Sequence, residues 1–269
     1  MFENPFHRAV YLTGPTASGK SAVGLALARK VGGEIIALDS MTLYRGMDIG
    51  TAKPSPEEQR EIPHHLIDVL DPWETASVGQ YRSWALQKVL EIEGRNRLPI
   101  FVGGTALYLK TLLRGLFDGP GADPQIRDEL EAEAQSLGSP AMHARLAQLD
   151  PKIGARLHPN DERRIVRALE VIRLTGKPLS DFQTEHENLA PEGVRVFSLE
   201  RPRESLYDRI NRRVLDMFDA GLVDEVRRLT SSAHPLSPVT LQAVGYCEVI
   251  DLLEGKQSLA MTVNLVQTR

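Results

Sequence analysis

Eight consecutive residues, Gly14-Pro15-Thr16-Ala17-Ser18-Gly19-Lys20-Ser21, carry the pattern of a loop that wraps phosphate oxygens. Glycines near both ends let successive backbone N–H groups converge on an anion, and a helix starting where the loop ends points its positive end at the same place. Lys20 adds a point charge, and the Ser21 hydroxyl is a ligand for Mg²⁺. A bound diphosphate or triphosphate with Mg²⁺ as cofactor is therefore expected, and residues 14–21 are its candidate contacts.

Asp39 follows the apolar run Ile35-Ile36-Ala37-Leu38, which puts its carboxylate at the carboxyl end of a strand, the edge where open α/β sheets bind ligands. There it can orient Mg²⁺ through water or act as a general base toward a nucleophile approaching the diphosphate. As a turn or cap residue it would do neither. Thr105, after Gly103-Gly104, stands where another strand turns into a helix, so its hydroxyl either faces the same crevice or caps that helix. Lys53, in Gly50-Thr51-Ala52-Lys53-Pro54, reads equally as a site lysine or a solvated charge. His64-His65 lack the spaced Cys or acidic companions of a zinc site and read as structural.

Two arginine-rich segments complete the set. Between Arg156 and Lys177, the cations Arg156, Arg163, Arg164, Arg167, Arg173 and Lys177 outnumber Asp161, Glu162 and Glu170. Arg163 and Arg167 are one helical turn apart, opposite Ile165, Leu169 and Ile172. Between Arg201 and Arg213, five arginines outnumber Glu204 and Asp208. Each segment is either a solvated helix face or a grip on phosphates, those of a nucleic acid for the first and of a small diphosphate for the second.

The elements that must position these residues show in the patterning. Short apolar runs at Ala9–Leu12, Glu34–Leu38 and Pro99–Val102 alternate with helical stretches, the rhythm of a parallel sheet with crossover helices. Ser77 and Gln80 have capping-box spacing ahead of a helix with Val78, Tyr81, Ala85, Val89 and Ile92 on one face. From Pro124 to about Ser180 the texture is helical without a clear strand. A strand signal returns at Val194–Leu199, followed by a long helix from near Ser205, a break at Gly221 and one more helical segment over Val239–Leu253. The fold class is thus α/β, a P-loop NTPase-like parallel sheet flanked by helices, with an inserted all-helical subdomain. Residues 1–117 and 195–269 form the core and 118–194 the insertion.

Composition sets bounds. A chain of 269 residues with net charge −4 has no bulk attraction to nucleic acid or an anionic membrane. The apolar run Leu98–Leu109 has twelve residues and two glycines, too short to span a bilayer, so no membrane partner is expected. The start lacks the basic and apolar segments of a secretory signal, and a single cysteine, Cys247, allows no intrachain disulfide and suits the cytoplasm. The run ending at Gln267-Thr268-Arg269 reads as a helix without a cap, as expected of a chain cut short.

Taken together, these residues resemble the tRNA dimethylallyltransferases, also called tRNA isopentenyltransferases, over nearly the whole chain. The blocks are Gly14 to Ser21, Asp39 to Pro54, Pro63-His64-His65-Leu66-Ile67-Asp68, Gly103-Gly104-Thr105-Ala106-Leu107-Tyr108, Asp161 to Gly176 and Val244-Gly245-Tyr246. The first is shared with many unrelated proteins, whereas Asp39 to Pro54 is far more diagnostic. The resemblance implies transfer of a dimethylallyl group from dimethylallyl diphosphate to N6 of an adenosine beside the anticodon, position 37 of tRNA, with release of pyrophosphate. By the same carry-over Asp39 is the base, Thr105 bonds near the bridging oxygen, and Lys20, Mg²⁺ on Ser21 and Arg209 stabilise the departing diphosphate. Asp39, Ser40, Met41, Thr42, Thr105, Arg127, Asn160, Asp161, Glu162, Arg163 and Arg164 would contact tRNA, as would Arg167 by its place in the first basic cluster. The insertion, 118–194, would embrace the anticodon stem-loop, and a monomer is expected. Thr42 stands where many members carry glutamine, and the family continues past Arg269 into a basic tail that helps hold RNA.

A small-molecule P-loop kinase would use Lys20, Mg²⁺ and Asp39 in the same way, but needs only a short lid in place of a large basic insertion. A prenyltransferase of free adenine nucleotides needs no such insertion either. An NTPase switch on nucleic acid would need a further group to activate water, and no convincing one is seen.

Overall fold

The computed structural model describes residues 4–116, 119–182 and 193–269. Five strands, β1 (Val10–Thr13), β2 (Gly33–Ala37), β3 (His64–His65), β4 (Leu98–Val102) and β5 (Arg195–Ser198), form one sheet in the order β3-β2-β4-β1-β5. Every pairing is parallel. The chain leaves β1 for β2 on one side and later returns to add β5 on the other, so the strand order reverses at β1. Loops after a strand at such a switch point splay apart and leave a crevice.

The loops after β1, β2 and β4 carry the phosphate-loop pattern, Asp39 and Thr105 respectively, and the sequence expectation of a parallel α/β core holds. The two-residue β3 at His64-His65 is the one strand the patterning does not announce, because a pair of histidines has no alternation to detect. The two histidines pair with Ile35 and Ile36 at the edge of the sheet, where His65 Nε2 and the buried Glu34 carboxylate are 2.7 Å apart.

Helix α1 (Lys20–Val31) follows β1; α2 (Pro56–Glu61) precedes β3, α3 (Val78–Gly94) precedes β4, and α4 (Ala106–Arg114) follows it. The capping box at α3 is real, with Ser77 accepting from the Gln80 N–H and Gln80 accepting from the Ser77 N–H. Its inward face places Tyr81 so that the phenol donates to the Ala37 carbonyl at 2.8 Å, while the ring stacks on Tyr108 of α4 at 3.7 Å between centroids. Tyr11 of β1 stacks on Phe101 of β4 at 4.8 Å. These buried rings fix the end of β2 and the start of α4, the two places from which Asp39 and Thr105 emerge.

The chain divides into two compact units, Met1–Leu113 with Pro191–Arg269, and Arg114–Ala190. The expected boundary between 117 and 118 lies outside the described residues. The second unit contains α5 (Pro124–Leu137), α6 (Ser139–Leu149), α7 (Pro151–Arg156) and α8 (Glu162–Thr175). They enclose a core of their own around Leu130, Met142, Leu146, Ile165 and Leu169. The first unit ends in α9 (Arg203–Asp219), α10 (Leu222–Thr230), α11 (Pro238–Leu241), α12 (Tyr246–Leu253) and α13 (Leu259–Thr268). Gly221, at φ 97°, separates α9 from α10 as anticipated. The single helix expected over Val239–Leu253 is instead two, because Gly245 at φ 89° breaks the helical path between α11 and α12.

Candidate active site

The phosphate loop is held from outside by two arginines. Arg201 Nε donates to the Ser18 carbonyl at 2.6 Å, and Arg209 Nε, from α9, donates to the Ala17 carbonyl at 2.7 Å. In a planar trans peptide the C=O and the next N–H point opposite ways, so anchoring the Ser18 carbonyl outward turns the Gly19 N–H to the other side. Ala17 itself has φ 61°, a strained value for a residue with a Cβ, which the two anchors help to sustain. Ser18 is buried, and its hydroxyl has no hydrogen-bond partner among the described residues. A buried hydroxyl without a protein partner at this place in the loop is available to a phosphate oxygen.

Thr16, Lys20 and Ser21 share one cavity with Asp39, Thr42 and Arg213. The remaining lining includes Glu58 and His64 beside the apolar Leu25, Ile35, Ala37, Ile67 and Val102, so charged and apolar walls meet in a single space. Lys20 Nζ donates to the Pro15 carbonyl at 3.0 Å. Burial pushes the Lys20 ammonium below its usual range; Asp39 opposes that shift and Arg213 adds to it. Arg213 is likewise lowered by burial and supported by Asp39. Two desolvated cations, Lys20 and Arg213, share this cavity with the carboxylates of Asp39 and Glu58, and their N–H groups are the charged donors it offers an anion.

Asp39 is oriented by its own loop. The Met41 N–H donates to Asp39 Oδ1 at 2.8 Å, and the Thr42 hydroxyl donates to the Asp39 carbonyl at 3.4 Å. Asp39 therefore makes a local turn and also lines the cavity, so the turn does not remove it from the site. Thr105 Oγ1 accepts from the Ser40 N–H at 3.1 Å, which ties the loop after β4 to the loop after β2. The close approach of these loops explains Gly103, where a Cβ would lie 2.1 Å from the Leu38 carbonyl oxygen. Lys53 is no solvated charge: its side chain is 4% exposed and donates to Asp48, Asp68 and the Tyr44 carbonyl.

The remaining candidates, Arg127, Asn160, Asp161, Glu162, Arg163, Arg164 and Arg167, sit in the second unit. Arg127 and Arg167 both bond the buried Glu170 carboxylate, at 2.6 and 2.7 Å, and Arg167 also donates to the Pro120 and Gly121 carbonyls. Asp161 caps α8 and pairs with Arg164 at 3.2 Å. Asn160, Glu162, Arg163 and Arg164 are exposed. Arg201 and Arg213 stand in the second arginine-rich segment, from which the family resemblance points to Arg209 alone. The spacing of Arg209 and Arg213, four apart on α9 and hence on one face, was the available signal.

A family profile described as IPP transferase matches residues 42–269, and one described as isopentenyl transferase matches residues 8–69. The tRNA dimethylallyltransferase of Geobacter sulfurreducens is 49% identical over 261 residues, covering 97% of this chain and 84% of that protein. The tRNA dimethylallyltransferase of Bordetella pertussis is 49% identical over 252 residues, covering 91% of this chain and 80% of that protein. Among solved structures, the tRNA isopentenylpyrophosphate transferase of Bacillus halodurans is 41% identical, with a TM-score of 0.67 over 97% of this chain and 82% of that one. A eukaryotic dimethylallyltransferase acting on tRNA is 30% identical, with a TM-score of 0.79 over 97% of this chain and 66% of that one.

Proposed function

This chain belongs to the IPP transferase family, and from that premise we propose that it transfers a dimethylallyl group from dimethylallyl diphosphate to N6 of adenosine 37 in tRNA, releasing pyrophosphate. The observation that carries the proposal is the single cavity in which Lys20, Arg213 and Asp39 meet apolar walls. Its cations match a diphosphate head, its apolar lining matches a five-carbon tail, and the Asp39 carboxylate can take a proton.

In the reaction the allylic C–O bond breaks and its electron pair stays on the bridging oxygen of the departing diphosphate. The N6 lone pair forms the new C–N bond, and the proton lost from N6 passes to the Asp39 carboxylate. That amine is a weak nucleophile because its lone pair is delocalised into the purine, so a base at the forming bond matters. Lys20, Arg213 and the phosphate-loop N–H groups stabilise the charge that grows on the leaving group, in a site where their burial strengthens the attraction. Arg209 supports this by holding the loop and presents its remaining N–H groups beside Gly19, where a Cβ would lie 3.9 Å from its guanidinium. The Thr105 hydroxyl reads as a further contact near the bridging oxygen.

Ser21 fits a Mg²⁺ site: its hydroxyl shares the cavity with Asp39, and when bound the ion neutralises diphosphate oxygens. Among the described residues no cluster of three or more His, Cys, Asp or Glu could hold a metal alone, which suits an ion bound largely through substrate oxygens and water.

The acceptor adenosine has to leave its stack, and bases in a loop are the easiest to extrude. The exposed Asn160, Glu162, Arg163 and Arg164 at the start of α8 are proposed contacts to the anticodon stem-loop, with Asp39 to Thr42 and Thr105 near the extruded base. Action as a monomer in the cytoplasm completes the proposal; no helix among the described residues is long and apolar enough to cross a membrane. Incubation with radiolabelled dimethylallyl diphosphate or ATP, with and without tRNA, tests it. Label moving from the prenyl donor into tRNA is expected, and ATP consumption without such transfer would overturn the reading.

A further inference from the structure

Glu225 is 1% exposed, on α10, outside every motif that the sequence marks as carrying chemistry. A buried carboxylate has to be matched by donors, and its donors are unusual. One oxygen accepts from the Asp48 N–H at 3.0 Å and the Ile49 N–H at 2.9 Å; the other accepts from the Gly50 N–H at 3.3 Å and the Tyr246 hydroxyl at 2.6 Å. Three successive backbone N–H groups converge on one side chain, so Glu225 substitutes for the secondary structure that the 48–50 loop lacks.

Tyr246 closes the clamp. It is 1% exposed, and its ring lies so near the loop that a Cβ at Gly50 would be 2.4 Å from a ring carbon. Only glycine fits there, so Gly50 and Tyr246, nearly two hundred residues apart, are one packing unit. Tyr246 is the first residue of α12, directly after the break at Gly245. On the far side Lys53 fixes the same segment, donating to Asp48 at 2.6 Å.

What the clamp holds is the wall of the donor cavity. Thr51, Ala52 and Pro54 line the space that contains Lys20, Asp39 and Arg213. Ala52 has φ 47°, a left-handed value that a residue with a Cβ keeps only when its surroundings hold it there. Ala52 and Pro54 also line a second, adjoining cavity of about 560 Å³, so a shift of this stretch would reshape both spaces.

We propose that the Glu225–Tyr246 pair is a positioning device that keeps the 48–54 segment in the conformation able to accept the prenyl donor. The inference rests on the proposed transferase function. Releasing the clamp lets Ala52 relax and lowers the fraction of molecules with a competent wall. A ligand that binds only the competent fraction loses apparent affinity in proportion. The donor KM therefore rises while turnover at saturating donor, and binding of tRNA, change little.

The test is steady-state transfer with dimethylallyl diphosphate and tRNA for the full chain and for Glu225→Gln, Tyr246→Phe and the double variant, with melting temperatures measured on each. Tyr246→Phe keeps the ring against Gly50 and removes only the hydroxyl, so it serves where Glu225→Gln fails to fold. The expected result is a donor KM raised roughly threefold to tenfold in each folded variant, with kcat within about threefold of the unaltered chain. The double variant is expected to show less than the product of the two single effects, since both act on one clamp. A lowered melting temperature with donor KM unchanged in every folded variant would overturn the inference and leave the clamp a fold element only. Absence of transfer by the unaltered chain would instead overturn the proposed function.

Discussion

The Thr105 hydroxyl accepts a hydrogen bond from the Ser40 N–H at 3.1 Å, joining two loops that lie 65 residues apart in the chain. Ser40 is the neighbour of Asp39, so this bond sets where the carboxylate sits relative to the phosphate loop. Thr105→Val keeps the shape and removes the acceptor, leaving the Ser40 N–H without its partner. A stability loss of about 1 kcal/mol is expected, the usual size for one hydrogen bond, together with a larger fall in single-turnover rate. Thr105→Ser restores the acceptor and is expected to recover most of that rate. Equal single-turnover rates for the valine and serine variants would deny the bond a part in positioning.

Asp39→Asn keeps an oxygen able to accept from the Met41 N–H, so the turn survives while the proton acceptor is lost. Single-turnover transfer is expected to fall by roughly two to four orders of magnitude, the range of general-base effects. The donor dissociation constant, measured separately by titration, is expected to change little, because the anion is held mainly by the phosphate loop and its cations. A near-normal rate would remove Asp39 from its assigned role.

Arg213→Gln removes one of the two desolvated cations facing Asp39. A charged hydrogen bond to the diphosphate contributes about 1.5–3 kcal/mol, so donor affinity is expected to fall by roughly tenfold to a hundredfold. Arg209→Gln is expected to act more weakly, since its Nε is already committed to the Ala17 carbonyl. Isothermal titration with dimethylallyl diphosphate separates the two, and equal losses would mean that both arginines serve the anion alike.

Much of this site is legible in the sequence, and the reasons are local. The phosphate loop, Asp39 and Thr105 each follow a strand, and the alternation of apolar runs with helical patterns locates strand ends. Lys53 was ambiguous because its partners, Asp48, Asp68 and the Tyr44 carbonyl, are set by a loop with no periodicity. Arg213 escaped assignment because a helix in a basic segment does not reveal which arginines face inward. Glu225 left no trace at all: a carboxylate on an amphipathic helix reads as solvated until the fold brings three backbone N–H groups to it. The helix break at Gly245 was missed because the residues on both sides favour helix, and the reason for breaking there, Tyr246 against Gly50, lies far away in the chain.

The arginines of α8 divide by what they already touch. Arg163 is exposed, whereas Arg167 is bonded to Glu170 and to two carbonyls. Arg163→Ala is expected to weaken tRNA binding and to make the dependence of log affinity on log salt shallower by nearly one unit, with the melting temperature unchanged. Arg167→Ala is expected to lower stability by about 1–3 kcal/mol, since it withdraws a charged partner from a buried carboxylate. A binding isotherm series over several salt concentrations, run beside thermal melts, checks both. If Arg163→Ala leaves affinity and slope untouched, that face is merely solvated.

Glu170 itself gives the second unit a pH dependence with a definite sign. Burial pushes its carboxyl pKa up, but the hydrogen bonds from Arg167, Arg127 and the Asp123 N–H outweigh this and hold it below the ordinary 4.5. A carboxyl whose folded pKa lies below its unfolded one adds stability above the unfolded value and loses it as pH falls toward the folded value. Stability contributed by Glu170 is thus complete above about pH 5 and is withdrawn progressively as pH drops through 4.5 and below. Urea unfolding at a series of pH values is expected to show Glu170→Gln less stable than the unaltered chain at neutral pH, with the gap narrowing on acidification. A gap that stays constant from pH 7 to pH 3 would mean that the charge on Glu170 contributes nothing and that only its shape matters.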